Sequence, residues 1–449
     1  MLLAGDVWNT AQVRAIRDHP PLVVLLVLAA AATIAAGAVL VTRRPAILPV
    51  AAIAVLPLRV PLTVGGETAN LLIPLYLVIA SGALARIVRD LRAPPAPVDP
   101  PGGLTSFLLV RLLFGFVALY AIQAAYSSDL SLAAQHLTFF YIPFGALFLL
   151  LADVRWTPEL QALCLKVLVA LALVFCAVAF VEVAVHDVLL NDKLKESNLY
   201  NSYFRVNSLF FDPNIFGRFL VVVILLLPPV VAWSRRMADV RRAALLIAVL
   251  FAGLLTTLSQ SSFGALLVGL AVLAAIRGRG RHVAAIVVAA VVAGAIVVVA
   301  FPSALGVNLD KAGSVRKATS GRSDLVSGGA KLFARRPVQG FGSGAFPKEY
   351  REESHRTSPE DVAASHTIPL TVAVEQGLIG LAVYVALLLA AFSVLLRRAR
   401  DALPRAAIAA AFAAVVFHTF GYAAFLEDPL TWALLAVGAA LAAGTHQRS

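Results

Sequence analysis

Charge is scarce in this chain. Only 14% of its 449 residues are Asp, Glu, Lys or Arg, while 60% are hydrophobic and the mean hydropathy is +0.87. A soluble globular chain is about half apolar and about a quarter charged, so a water-solvated fold is excluded. Acid is scarcer than base: 25 Asp and Glu stand against 37 Lys and Arg, a formal net charge of +12. Cysteine is nearly absent. Cys164 and Cys176 share one apolar run, make no CxxC, and have no neighbours that could complete a metal site, so they read as core packing. No Gly-Lys-Ser/Thr closes a glycine-rich turn, so nucleotide binding of the Walker type is not indicated. Strict apolar–polar alternation is missing too, which excludes a membrane β-barrel. No cleavable leader is evident, because the first apolar run is long enough to remain as a span.

What is present is a series of apolar runs, each about 20 residues long, the length that crosses a bilayer core as a helix. They predict an all-α, polytopic transmembrane helical bundle of about 12–13 spans. Pro49, Pro57 and Pro61 interrupt the second run, Ala46–Val64, and predict a kinked, short or re-entrant segment there. Arginines cluster between alternate runs, at Arg43-Arg44, Arg86–Arg92, Arg235–Arg242, Arg277–Arg281 and Arg397–Arg400. By the positive-inside rule these connections are cytoplasmic. That pattern accounts for the basic balance through membrane topology and sets nucleic-acid binding aside. The connections His186–Asn214 and Pro302–His366 then face outward. The expected organisation is an N-terminal transmembrane bundle (1–185), an outward loop (186–214), a second bundle (215–301), a large extracytoplasmic catalytic loop (302–366) and C-terminal transmembrane helices (367–449). Ala93–Gly103 is a proline-rich cytoplasmic linker.

The polar residues that carry chemistry lie in or beside the outward loops. Asp212-Pro213-Asn214 is a turn and helix-start signal that leads into a span. A helix beginning there directs free N–H groups outward and suits an anion, with Arg205 and Arg218 adding charge-assisted contacts. The alternative is that Arg218 snorkels to headgroups and Arg205 is ordinary loop solvation. Gly321-Arg322 and Arg335-Arg336-Pro337 with Gly340, Gly342 and Gly344 form a glycine-rich turn among arginines, read as a phosphate cradle or as a plain solvated turn. His366 stands at the mouth of a span, where a neutral imidazole could take a proton. His355 is its rival in the same loop, whereas His136 and His418 read as packing residues. Glu375 sits inside an apolar run and is expected to be a functional or structural hub, or a helix-packing hydrogen bond.

In this order the motifs resemble the bacterial O-antigen ligase and O-antigen polymerase superfamily. The resemblance rests on Arg205–Gly217, Thr257–Ser259, Gly321-Arg322, Pro337–Gly342 and His366–Gly380. It implies a GT-C-type membrane glycosyltransferase of the cytoplasmic (inner) membrane, active on the extracytoplasmic face and needing no cofactor and no metal. The donor would be an undecaprenyl-diphosphate-linked glycan, and the acceptor a hydroxyl on a glycan, a lipid or a protein. By the same resemblance Arg205 and Arg322 hold the diphosphate and His366 is the general base. Asp212, Asn214, Gln260 and Glu375 would support them. Direct displacement at the anomeric carbon would invert it. Two positions depart from the pattern: Gln260 stands where relatives often carry arginine, and Thr367 where asparagine is common. Either a third diphosphate contact is missing or another arginine, Arg218, replaces it, and Gln260 tilts the expectation from ligase toward polymerase. The rival readings are a cell-wall glycan polymerase with a carboxylate base, and a transporter or flippase of lipid-linked glycan.

Overall fold

A computed structural model describes residues 20–64, 67–92, 103–189, 191–200, 204–229, 236–278, 322–354, 367–422 and 424–443. Two compact units divide the chain: Met1–Val98 with Thr157–Leu168, and Asp99–Trp156 with Val169–Ser449. In the first unit α1 (Pro20–Arg43) packs along α3 (Ile73–Arg92), and the short α2 (Ile47–Val55) lies against α3 as well. The expected second span is not a span. Its nine-residue helix α2 rises about 14 Å, less than half of a bilayer core of about 30 Å. Beyond it the chain forms an antiparallel hairpin, β1 (Val60–Val64) with β2 (Glu67–Leu71). Pro57 and Pro61 lack the N–H that a continuing helix needs, and the helix stops at Val55 although Leu56 keeps helical angles (φ −53°, ψ −42°).

Every described secondary-structure element of the second unit is a helix. Its elements are α4 (Gly103–Ala124), α5 (Leu130–His136), a π turn (Leu137–Tyr141) that runs into α6 (Ile142–Ala152), α7 (Pro158–Val185, from Val169 onward), α8 (Asp192–Tyr200) and α9 (Pro213–Leu226). There follow α10 (Met237–Thr257), α11 (Gln260–Ile276), α12 (Arg322–Arg335), α13 (Phe346–Ser354), α14 (Ile368–Leu396), α15 (Leu403–His418) and α16 (Pro429–Ala443). Among the described residues, six helical stretches are long and apolar enough to cross a membrane, and four shorter apolar helices accompany them. The protein is a multi-pass helical membrane protein. The expected span Val283–Phe301 lies outside the described residues.

Lipid offers helices no hydrophobic drive to associate, so close packing of small side chains has to supply it. In α15 the run Ala406–Ala414, interrupted only by Ile408 and Phe412, is buried against α11 and α9. Gly269 of α11 meets Leu225 of α9, and the Ala410 carbonyl oxygen of α15 lies 3.2 Å from where its Cβ would be. Gly217 of α9 likewise admits the Ser262 side chain of α11, whose Oγ would stand 2.5 Å from an added Cβ. These contacts draw the first turns of α9 and α11 together, and the site is built from them.

Candidate functional site

Three helix ends meet through one buried polar network. Asp212 caps α9 by accepting the Asn214 N–H at 2.6 Å, as the Asp-Pro-Asn signal predicts. The next link runs from α9 to α11: the Ser259 hydroxyl donates to Asn214 Oδ1 at 2.7 Å, and Ser259 is itself the cap of α11, accepting from the Ser262 N–H. Ser259 Oγ also lies 3.2 Å and 2.8 Å from the hydroxyls of Ser261 and Ser262. Both of those hydroxyls reach Nε2 of His418, at 3.1 Å and 3.2 Å, at the end of α15. His418, Ser259 and Ser262 are wholly buried.

The same end holds Arg205. Its Nε–H donates to the Thr257 carbonyl at 2.9 Å, and the Val206 N–H donates to Thr256. Asn198 brackets the Arg205 backbone, accepting from its N–H and donating to its carbonyl. Thr257 ends α10, and Leu258 turns the chain into α11 through a left-handed conformation (φ 48°). Gln260, the first residue of α11, is exposed. The start of α14 joins this end too, because the Ile368 N–H donates to the Thr419 carbonyl, one residue after His418. His366 lies outside the described residues, two positions before that bond, as does its rival His355. Arg322 opens α12, and its side chain lies outside the described residues.

The glycine-rich turn has a different job from a phosphate cradle. Its N–H groups are already engaged: Phe341 donates to the Val374 carbonyl, Gly342 to the Glu375 carbonyl at 2.8 Å, and Gly340 to Arg336. Gly344 and Phe346 donate to the two carboxylate oxygens of Glu375, at 2.9 Å and 3.2 Å. Glu375 is therefore the hub that the sequence suggested, an acceptor for two loop N–H groups at the start of α13, where a negative charge is also favoured by the helix dipole. The turn docks where α14 is broken at Gly377, whose φ of 65° and ψ of −164° interrupt the helix. There the Leu378 N–H donates to Pro337, and Gln123 of α4 donates to the Gln376 carbonyl. Tyr126, Ser127 and Lys348 add side-chain bonds between the end of α4 and the same loop. Beneath it Leu325, Leu332, Phe341, Phe346, Tyr350 and Val374 form an apolar core. Removing the Glu375 carboxylate (Glu375→Ala) would leave two buried N–H groups without an acceptor, at about 1–3 kcal/mol each. Denaturant unfolding and limited proteolysis of the Arg322–Ser354 segment should register that loss, with Glu375→Gln less affected because it keeps one acceptor.

The break also divides the long apolar run. Between Ile368 and Gly377 no residue is exposed, whereas Leu378 and Ile379 are about half exposed on the helix surface. Leu378–Leu396 alone is 19 residues (396 − 378 + 1), or about 28 Å of helix, enough for one crossing. The first turns of α14 belong to the loop assembly.

Arg218 is 1% exposed and ion-paired to Asp428 at 2.5 Å, with a further bond to the Ala424 carbonyl at 2.6 Å. Its charge is neutralised inside the protein, beside the loop that leads into α16. Sequence reading gave His418 a packing role and did not see its hydroxyl partners, since their positions are 156 and 157 residues away.

Residues 243–385, from within α10 to within α14, match the family model described as O-antigen ligase. Over that third of its length the chain is similar to the O-antigen ligase family. The matched segment holds Gln260, Arg322, His366 and Glu375. Arg205, Asp212, Asn214 and Arg218 precede it and His418 follows it, yet the fold gathers Arg205, Asn214 and His418 around its second helix. No curated protein matches the chain.

Proposed function

We propose that this protein is an inverting membrane glycosyltransferase that moves a glycan from an undecaprenyl-diphosphate carrier to an acceptor hydroxyl, on the outer face of the cytoplasmic membrane. The observation that carries this reading is the convergence, within an O-antigen-ligase-type bundle, of Arg205, the start of α11 and the start of α14 that follows His366. The acceptor oxygen attacks the anomeric carbon as the bond from that carbon to the diphosphate oxygen breaks, and the acceptor proton passes to His366. Arg205 and Arg322 counter the charge that develops on the departing diphosphate, so they stabilise the transition state more than the bound donor. Thr257 supports Arg205 by accepting from its Nε–H, which fixes the plane of the guanidinium. Asp212 and Asn214 support it from α9, Gln260 lines the same end without a charge, and Glu375 keeps the loop that begins at Arg322 docked on α14. Arg218 is assigned to the internal ion pair with Asp428 and holds the approach to α16.

The test uses the full-length protein in nanodiscs with an undecaprenyl-diphosphate-linked glycan prepared from the membranes of the producing cells. Release of undecaprenyl diphosphate is expected from wild type. His366→Ala should lower it about 10²–10⁴-fold, the usual range for removing a general base. Arg322→Ala should lower it about 10²-fold or more, as for loss of one group that stabilises developing charge. The glycan product separates polymerisation from ligation. Release untouched by His366→Ala would remove the proposed base and return weight to a flippase.

A further inference from the structure

A polar network buried in an apolar bundle is costly unless every member is satisfied, and its return is a fixed geometry. Here the network joins the starts of α9 and α11 to the end of α15 through Asn214, Ser259, Ser261, Ser262 and His418. His418 is the joint. Its ring holds two hydroxyls of α11, and the carbonyl of the next residue, Thr419, takes the first N–H of α14, two residues beyond His366. A second tie runs alongside, from the Thr367 hydroxyl to the Phe420 carbonyl. On the other side of the same joint, the Ser259 N–H donates to the Thr257 hydroxyl, and the Thr257 carbonyl holds Arg205. One imidazole therefore links the segment that holds Arg205 to the start of α14, two residues beyond His366.

We propose that His418 is a positioning residue for glycosyl transfer, setting the distance between the diphosphate-holding end of α10–α11 and the base at the start of α14. This role rests on His366 being the base proposed above. An error of about 1 Å in such a placement can cost about 10²-fold in rate. His418→Phe fills the ring's volume and removes both hydroxyl contacts. His418→Gln can place an amide nitrogen near the Nε2 position and keep one of them. Both variants, with wild type and His366→Ala, are purified whole in nanodiscs. Turnover per folded molecule, the donor KM and the melting temperature are measured with the same undecaprenyl-diphosphate-linked glycan. His418→Phe is expected to lower kcat about 30–100-fold with the donor KM changed by less than about 3-fold, and His418→Gln to recover kcat to within about 3-fold of wild type. A second variant, Ser261→Ala with Ser262→Ala, is expected to reproduce the kcat loss while leaving the histidine in place. If His366→Ala is inactive but His418→Phe turns over at the wild-type rate per folded molecule, the positioning role is overturned and the transferase reading stands. Equal kcat losses in His418→Phe and His418→Gln that follow their melting temperatures would also overturn it, in favour of packing. Wild-type turnover in His366→Ala would overturn the base, and this role with it.

Discussion

Replacing Gly377 by alanine is expected to detach the docked loop and abolish transfer. The Cβ would lie 2.1 Å from the Val338 carbonyl oxygen and 2.4 Å from its carbon, both backbone atoms that cannot swing aside. The backbone there, with φ of 65° and ψ of −164°, is in a region that essentially only glycine occupies. Strain and collision together should cost more than about 3 kcal/mol. The expected signs are a lower melting temperature, new protease cleavage within Arg322–Ser354, and loss of undecaprenyl diphosphate release. Gly115→Ala is the matched control. Its Cβ meets nothing within 4 Å and it lies in α4, so the change should be neutral or stabilising by about 0.5–1 kcal/mol. A Gly377→Ala protein with wild-type melting and an intact loop would refute the docking of Pro337–Gly344 on the α14 break.

The second large effect concerns Arg218. Removing it alone, as Arg218→Ala, strands the Asp428 carboxylate in the interior and should cost about 3–5 kcal/mol. Replacing both partners with apolar residues, Arg218→Met with Asp428→Leu, should recover much of that loss, because no uncompensated charge remains. The two roles weighed for this residue part at that point. An Arg218 that only holds the loop into α16 gives a double variant with both stability and transfer largely restored. An Arg218 that binds diphosphate gives a double variant that is folded and inactive. Thermal unfolding and undecaprenyl diphosphate release on the same three preparations decide between them.

Much of the architecture was legible from sequence because a bilayer imposes a length. An apolar run that crosses lipid has to be a helix, since no other open structure satisfies its backbone there, and among the described residues the runs are helical apart from the hairpin end of Ala46–Val64. The start of α9 was legible as well: Asp212-Pro213-Asn214 is local chemistry, and the observed cap uses those residues. Glu375 stood out for being a carboxylate where carboxylates are costly, although nothing in the sequence says which N–H groups it serves. The failures were of a different kind. Gly340, Gly342 and Gly344 read as a phosphate cradle or as a plain solvated turn, because glycine permits a close approach without naming what approaches. Here the Glu375 and Ser127 backbones come close to Gly340 and Gly342. Thr367–Leu396 read as one span, since hydropathy does not register a break at a single glycine.

The sequence by itself determined that this is a multi-pass helical membrane protein and where α9 is capped, because helix length, capping and hydropathy are local properties. Only the tertiary structure decided the partners. It assigned Arg218 to Asp428, the glycine turn to α14, and His418 to the serines of α11, across separations of 29 to 210 residues. Those pairings arise from helices packing through small side chains. Which helix faces which is a property of the whole bundle, and no local pattern encodes it.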